Sequence, residues 1–133
     1  MNQTGKILVH VNDAHERLIT CVKFLKREKM SSTNTKCKFC PVVLFTSSRD
    51  RKVKMWRIDT TEGHSKTYII DLEQTIEGHV HSVWAVDCSL EYLVAGSADK
   101  TIRVWKNIIR PDNLGKHFIL AVKIIICKYK YFY

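Results

Sequence analysis

The chain has 133 residues, 45% of them apolar and 26% charged, with 22 Lys and Arg against 13 Asp and Glu for a net charge of +9. That length fits one domain of modest size, and the ordinary apolar fraction with few Gly and Pro excludes a disordered, fibrous or low-complexity chain. The charge is local: residues 23–38 and 106–133 each carry six basic groups and one acid, together +10, which leaves the rest of the chain at −1.

The N-terminal MNQTGKILVHVND lacks the basic-then-apolar pattern of a secretory leader. Within it Lys6–Val11 (KILVHV) reads as a strand. His15 precedes a second strand, Ile19–Leu25 (ITCVKFL). Lys26–Cys40 (KREKMSSTNTKCKFC) is polar and basic and reads as a loop. Its Cys37-x-x-Cys40 offers half a zinc site or a redox pair, but no second CxxC or HxxxH completes it, and Pro41 opens a strand rather than a helix. The expectation is a surface loop holding two thiols, with no metal and no cofactor. Pro41–Thr46 and Lys52–Ile58 are the next two strands. In the second of these Val53, Met55 and Arg57 face one way and Lys54, Trp56 and Ile58 the other, a period of two rich in β-branched and aromatic residues. The short polar link between them makes a β-hairpin, with Asp50 placed to bond turn N–H groups. Tyr68–Leu72 is a further strand.

The pattern then runs again. His79 precedes Val83–Cys88, and Tyr92–Ala95 and Thr101–Lys106 form a second hairpin. The phrase SSRDRKVKMWR (47–57) returns forty-nine residues later as GSADKTIRVWK (96–106), so that Ser48 matches Ser97, Asp50 matches Asp99 and Trp56 matches Trp105. Cys21, Cys88 and Cys127 sit in apolar runs and read as small core residues. Five cysteines at uneven spacing are not a disulfide framework and point to a reducing compartment. After Trp105 come a Pro- and Gly-containing connector, Asn107–Lys116, and the segment His117–Ile126, read as an edge strand. The longest apolar run, Phe118–Cys127, is interrupted by Lys123 and is half the ~20 residues a membrane span needs. A soluble protein, cytoplasmic or nuclear, with no membrane contact and no small-molecule substrate is expected.

The order Gly-His, strand, strand ending in small residues, Asp turn, strand ending in Trp resembles the WD40 repeat, whose units are the four-stranded blades of a β-propeller. The match is strong from Gly78 to Lys106. From His15 to Arg57 it holds at both ends and is stretched by 15 residues in the middle. The dipeptide that names the family is absent, since Arg57 and Lys106 follow the two tryptophans. The fold expected is all-β: a partial β-propeller of about two four-stranded antiparallel blades. The repeat region is placed at residues 1–110, with a first unit at about 6–72 that includes the insertion 26–40, and a second at about 77–106. Residues 111–133 are an atypical tail. Two units do not close a ring, so the propeller is expected to be incomplete: a truncated product, a partial gene model, or a chain that closes its ring by association.

The resemblance implies that each blade is locked by a buried chain of His, Ser/Thr, Asp and Trp. Carried over, the first set is His15, Thr46, Asp50 and Trp56. The second is His79, Asp99 and Trp105, with Ala95 where the hydroxyl belongs, so this blade is expected to be the looser unless Ser97 or a water substitutes. Read as a hydrolase triad these residues are poor, because no nucleophile elbow is present and one active site does not need two copies. No enzyme activity is expected. The resemblance also puts the histidine loops and Asp turns on one face, which here presents Glu16, Arg17, Arg49, Arg51 and Lys52, then Val80, His81, Ala98 and Lys100. Arg17, Arg49, Arg51, Lys52, His81 and Lys100 are the candidate partner-binding residues. The function implied is a protein-interaction scaffold or adaptor in a multi-subunit complex, binding acidic or phosphorylated segments. Ubiquitin-ligase receptors of the F-box/WD type are one such setting, though no F-box segment is present. The alternative is an RNA-binding component of an RNA-processing or ribosome-assembly complex, through the basic loop Lys26–Lys38 and the Lys- and Tyr-rich tail Lys123–Tyr133.

Overall fold

The computed structural model describes residues 5–25, 42–61, 65–109 and 116–125, with side chains as far as Lys106. The described residues form strands and turns and no helix. The strands are β1 (Ile19–Leu25), β2 (Val42–Ser48), β3 (Val53–Thr61), β4 (Thr67–Ile76), β5 (Val83–Cys88), β6 (Tyr92–Ser97), β7 (Thr101–Ile109) and β8 (Lys116–Ile125). They make two antiparallel four-stranded meanders, β1-β2-β3-β4 and β5-β6-β7-β8. The all-β, two-sheet expectation holds. One predicted strand does not: residues 6–11 carry no strand, and the fourth strand of the first sheet is β4, which follows the first hairpin. The loop Lys26–Lys38, both cysteines of the CxxC, and residues 126–133 of the tail lie outside the described residues.

The sheets repeat each other down to their irregularities. A bulge falls between Ile19 and Cys21 and again between Val83 and Ala85, leaving Thr20 and Trp84 as the extra residues. A second bulge falls beside Met55 and Trp56 and again beside Val104 and Trp105. A bulge re-aims the side chain it inserts. Both inserted residues reach between the sheets. The Thr20 hydroxyl donates to the Val83 carbonyl at 2.6 Å and lies 2.9 Å from Ser47 Oγ, while Trp84 receives the Arg49 guanidinium 5.2 Å from its ring centroid. Both turns close alike. The Arg51 N–H donates to the Ser48 carbonyl and the Lys100 N–H to the Ser97 carbonyl, and Arg51 (φ 74°) and Lys100 (φ 66°) are left-handed. This is the three-residue hairpin loop, a turn followed by one left-handed residue.

Register decides which residues meet. Phe45 lies opposite Met55, and Ser47 opposite Val53, so these side chains share one face of the first sheet. Leu93 lies opposite Trp105 and Val86 opposite Ala95, sharing one face of the second. The two faces pack on each other, and Phe45, Val53, Met55, Val83, Val86, Leu93, Ala95 and Trp105 form a single buried cluster with Leu25 and Ile76. Apolar burial between the sheets, about 25 cal/mol per Å2, is what joins them. Trp56 points the other way, toward the face that carries Thr46 and Leu44.

Candidate functional site

Both turns sit at the same end of their sheets, each under the loop that carries its histidine. In the first sheet His15 Nδ1 lies 2.7 Å from Asp50 Oδ2, His15 Nε2 lies 2.7 Å from Thr46 Oγ1, and the Trp56 indole N–H donates to Thr46 Oγ1 at 2.9 Å. One proton arrangement satisfies every group: indole to hydroxyl, hydroxyl to Nε2, and Nδ1–H to carboxylate. Asp50 also accepts the backbone N–H groups of Glu16 and Lys52. Burial pushes its carboxyl up, but the His15 bond and the two N–H donors outweigh that and hold it below the ordinary value.

The second sheet repeats half of this. His79 Nδ1 lies 2.8 Å from Asp99 Oδ2, which also accepts the Val80 N–H. Ala95 stands at the hydroxyl position, and His79 Nε2 is buried with no hydrogen-bond partner among the described residues. Ser97 does not substitute. Its hydroxyl is turned to the histidine loop, where it meets the His81 and Ser82 carbonyls, and it accepts the Asp99 N–H. The hydroxyl that joins the carboxylate comes from Thr101, which donates to Asp99 Oδ1 and lies 3.3 Å from His79 Nδ1. Burial again opposes ionisation of Asp99, and the Thr101, His79 and backbone N–H bonds overcome it, so the carboxyl lies well below the ordinary range. His79 meets Trp105 edge to face, ring centroids 5.9 Å apart. The sequence marks neither Thr101, because Lys52 occupies its place in the first copy, nor the tethering by Ser48, whose hydroxyl donates to the Arg17 carbonyl.

Together these bonds fix the loops that carry the candidate binding residues. Arg17, Arg49, Arg51, Lys52 and His81 line one depression of about 570 Å3 between the sheets; Lys100 is exposed outside it. The depression is less basic than its sequence suggests, because Glu16, Asp50 and Glu77 also line it. Lys52 Nζ lies 3.3 Å from Glu16 and 3.8 Å from Glu77, and Glu16 foremost raises the ammonium's affinity for its proton. The guanidinium groups of Arg17, Arg49 and Arg51 have no carboxylate partner among the described residues. Gly78 closes the floor at φ 143°, where a Cβ would collide with the Arg103 guanidinium. No cluster able to hold a metal ion exists among the described residues, and no helix among them is long and apolar enough to cross a membrane.

The family described as "WD domain, G-beta repeat" matches residues 6–57 and 70–106. The chain is 30% identical over 96 residues to eukaryotic translation initiation factor 3 subunit I of Eremothecium gossypii, covering 69% of this chain and 21% of that protein. It is 30% identical over 95 residues to the same subunit of Saccharomyces cerevisiae, covering 68% and 20%. It is 46% identical over 54 residues to WD repeat-containing protein pop2 of Schizosaccharomyces pombe, covering 37% and 8%. The chain thus spans about one fifth of the length of the initiation-factor subunits it matches.

Proposed function

The chain belongs to the WD40 repeat family, and from that premise we propose that it is a non-catalytic interaction scaffold of a multi-subunit complex, binding acidic or phosphorylated protein segments on its turn face. The observation that carries this reading is the depression between the blades. Arg17, Arg49 and Arg51, with no carboxylate partner among the described residues, line it on loops pinned by hydrogen bonds. Guanidinium groups pair with carboxylates and phosphates through two parallel N–H bonds, and loops held in place lose little entropy when a partner binds. Several relatives are by name subunits of a larger factor, which supports protein partners. The same hydrogen-bond chains argue for a structural role for His15, Asp50, His79 and Asp99, since each histidine Nδ1 is bound to its carboxylate and His15 Nε2 to Thr46.

The test is a panel of matched peptides, phosphorylated, acidic and neutral, titrated against the wild-type chain and an Arg17→Glu, Arg49→Glu, Arg51→Glu variant. The expected result is preference for the anionic peptides, lost in the variant while its melting stays cooperative. Equal binding of neutral peptides, or an unaffected variant, would sink the reading. A single-stranded RNA run in parallel separates the nucleic-acid alternative, which would show tight binding that weakens steeply with salt.

A further inference from the structure

The packed contact between the two blades shows which faces of this repeat fit each other. The rear face of the first blade, Phe45, Val53 and Met55, seats the front face of the second, Val86, Leu93 and Trp105. Each blade owns both faces, so among the described residues one of each has no blade packed on it. On the second blade the rear positions equivalent to Phe45, Val53 and Met55 are Val94, Ile102 and Val104, aligned by Val94 opposite Val104 and Gly96 opposite Ile102. Phe45 is 0% exposed and Val94 is 37% exposed. On the first blade the front positions equivalent to Val83, Val86 and Cys88 are Ile19, Val22 and Phe24. Val86 is 3% exposed, while Val22 and Phe24 are 48% and 57% exposed. Ser47 of the internal contact becomes Gly96 in the second blade, so the open rear face lacks that hydroxyl.

We propose that the open rear face of the second blade (Tyr92, Val94, Ile102, Val104) docks the open front face of the first blade (Ile19, Val22, Phe24) of a second copy of this chain. The contact continues the one already present inside the chain. It is heterologous, with different patches meeting, so it adds copies head to tail until the rotation closes. Propellers close at about 4–8 blades, which corresponds to about two to four copies.

The experiment uses the full chain and two caps. Val22→Asp blocks the front face and Val94→Asp the rear, each at a position already open to solvent. Light scattering behind size exclusion should give an assembly larger than one chain for the wild type and a monomer for each variant alone. An equimolar mixture of the two variants should give a dimer and nothing larger, because one front and one rear remain usable. Phe24→Glu and Tyr92→Glu serve as second caps should either first variant fail to melt cooperatively. A monomeric wild type at tens of micromolar, a capped variant that still assembles, or a mixture that stays monomeric would each overturn the proposal.

Discussion

The unequal hydrogen-bond chains of the two blades supply a matched pair of substitutions, Ala95→Ser and Thr46→Ala. The second blade has a buried imidazole nitrogen, His79 Nε2, with no partner among the described residues, and a residue 1% exposed, Ala95, where the first blade holds the hydroxyl. Ala95 pairs across to Arg103 as Thr46 pairs to Lys54, so an oxygen on its Cβ points where Thr46 Oγ1 points. Giving a buried polar atom its partner is worth about 1–2 kcal/mol net. Serine adds one atom. Threonine adds a methyl as well, at a site packed against Leu93 and Trp105, where overpacking costs about 1–3 kcal/mol. Ala95→Ser should therefore stabilise by about 1 kcal/mol and Ala95→Thr by less, or not at all. Thr46→Ala does the reverse twice, stranding His15 Nε2 and Trp56 Nε1, and should cost about 2–4 kcal/mol.

Urea unfolding followed by tryptophan fluorescence reads both, provided the slope with denaturant is unchanged, so that a shift in midpoint is a shift in stability. A double-mutant cycle assigns the cause: in a His79→Ala background the serine should lose its gain. If Ala95→Ser stabilises as much without His79, or destabilises with it, the inserted hydroxyl is not completing a chain and the reasoning fails.

Other outcomes follow from the turn and its carboxylate. Lys100 adopts a left-handed conformation that costs an L-residue about 1–2 kcal/mol, partly offset on substitution by the greater freedom of glycine when unfolded, so Lys100→Gly should raise the urea midpoint by up to about 1 kcal/mol and Lys100→Val should lower it. Asp50 and Asp99 are both held below the ordinary 3.8 when folded, so each contributes stability that is complete above that value and lost as pH falls from it through the lower folded value; thermal melts from about pH 5 to pH 2 should decline, and Asp99→Asn should be less stable at neutral pH with a shallower decline.

What the sequence reveals here is what repetition and alternation encode. His15, Asp50 and Trp56 stand out because they recur as His79, Asp99 and Trp105, and the hairpins stand out because a period of two brackets a polar turn. A local apolar run does not say whether a neighbour exists to pair with it, and so residues 6–11, with Ile7, Leu8 and Val9 in a row, form no strand. Tyr68–Leu72 is cut short in the sequence because the bulge at Glu73 breaks the period; β4 resumes beyond it and runs to Ile76. The pairing of Lys52 with Glu77 joins residues twenty-five apart through the pairing of β3 with β4, where Val53 lies opposite Ile76, and no local pattern announces it.

The missing hydroxyl of the second blade is tolerable for a reason visible in the packing. Trp105 and Ala95 lie against the first blade, inside the buried cluster, and the edge of His79 rests on the Trp105 ring. Dispersion and apolar burial hold that tryptophan whether or not its blade's hydrogen-bond chain is complete. Trp56 is 6% exposed but lies outside that cluster, and Val22 and Phe24 on the same face are open to solvent. Its indole N–H bond to Thr46, and through Thr46 to His15 and Asp50, is then the main tie between the tryptophan and the turn. The tryptophan outside the cluster carries the complete chain, and the tryptophan inside it carries the incomplete one. Covering the front face, by a second copy or by any other blade, should therefore lessen the penalty of Thr46→Ala. That penalty, measured with the front face open and again with it covered, ties the hydrogen-bond chain to the stacking of blades.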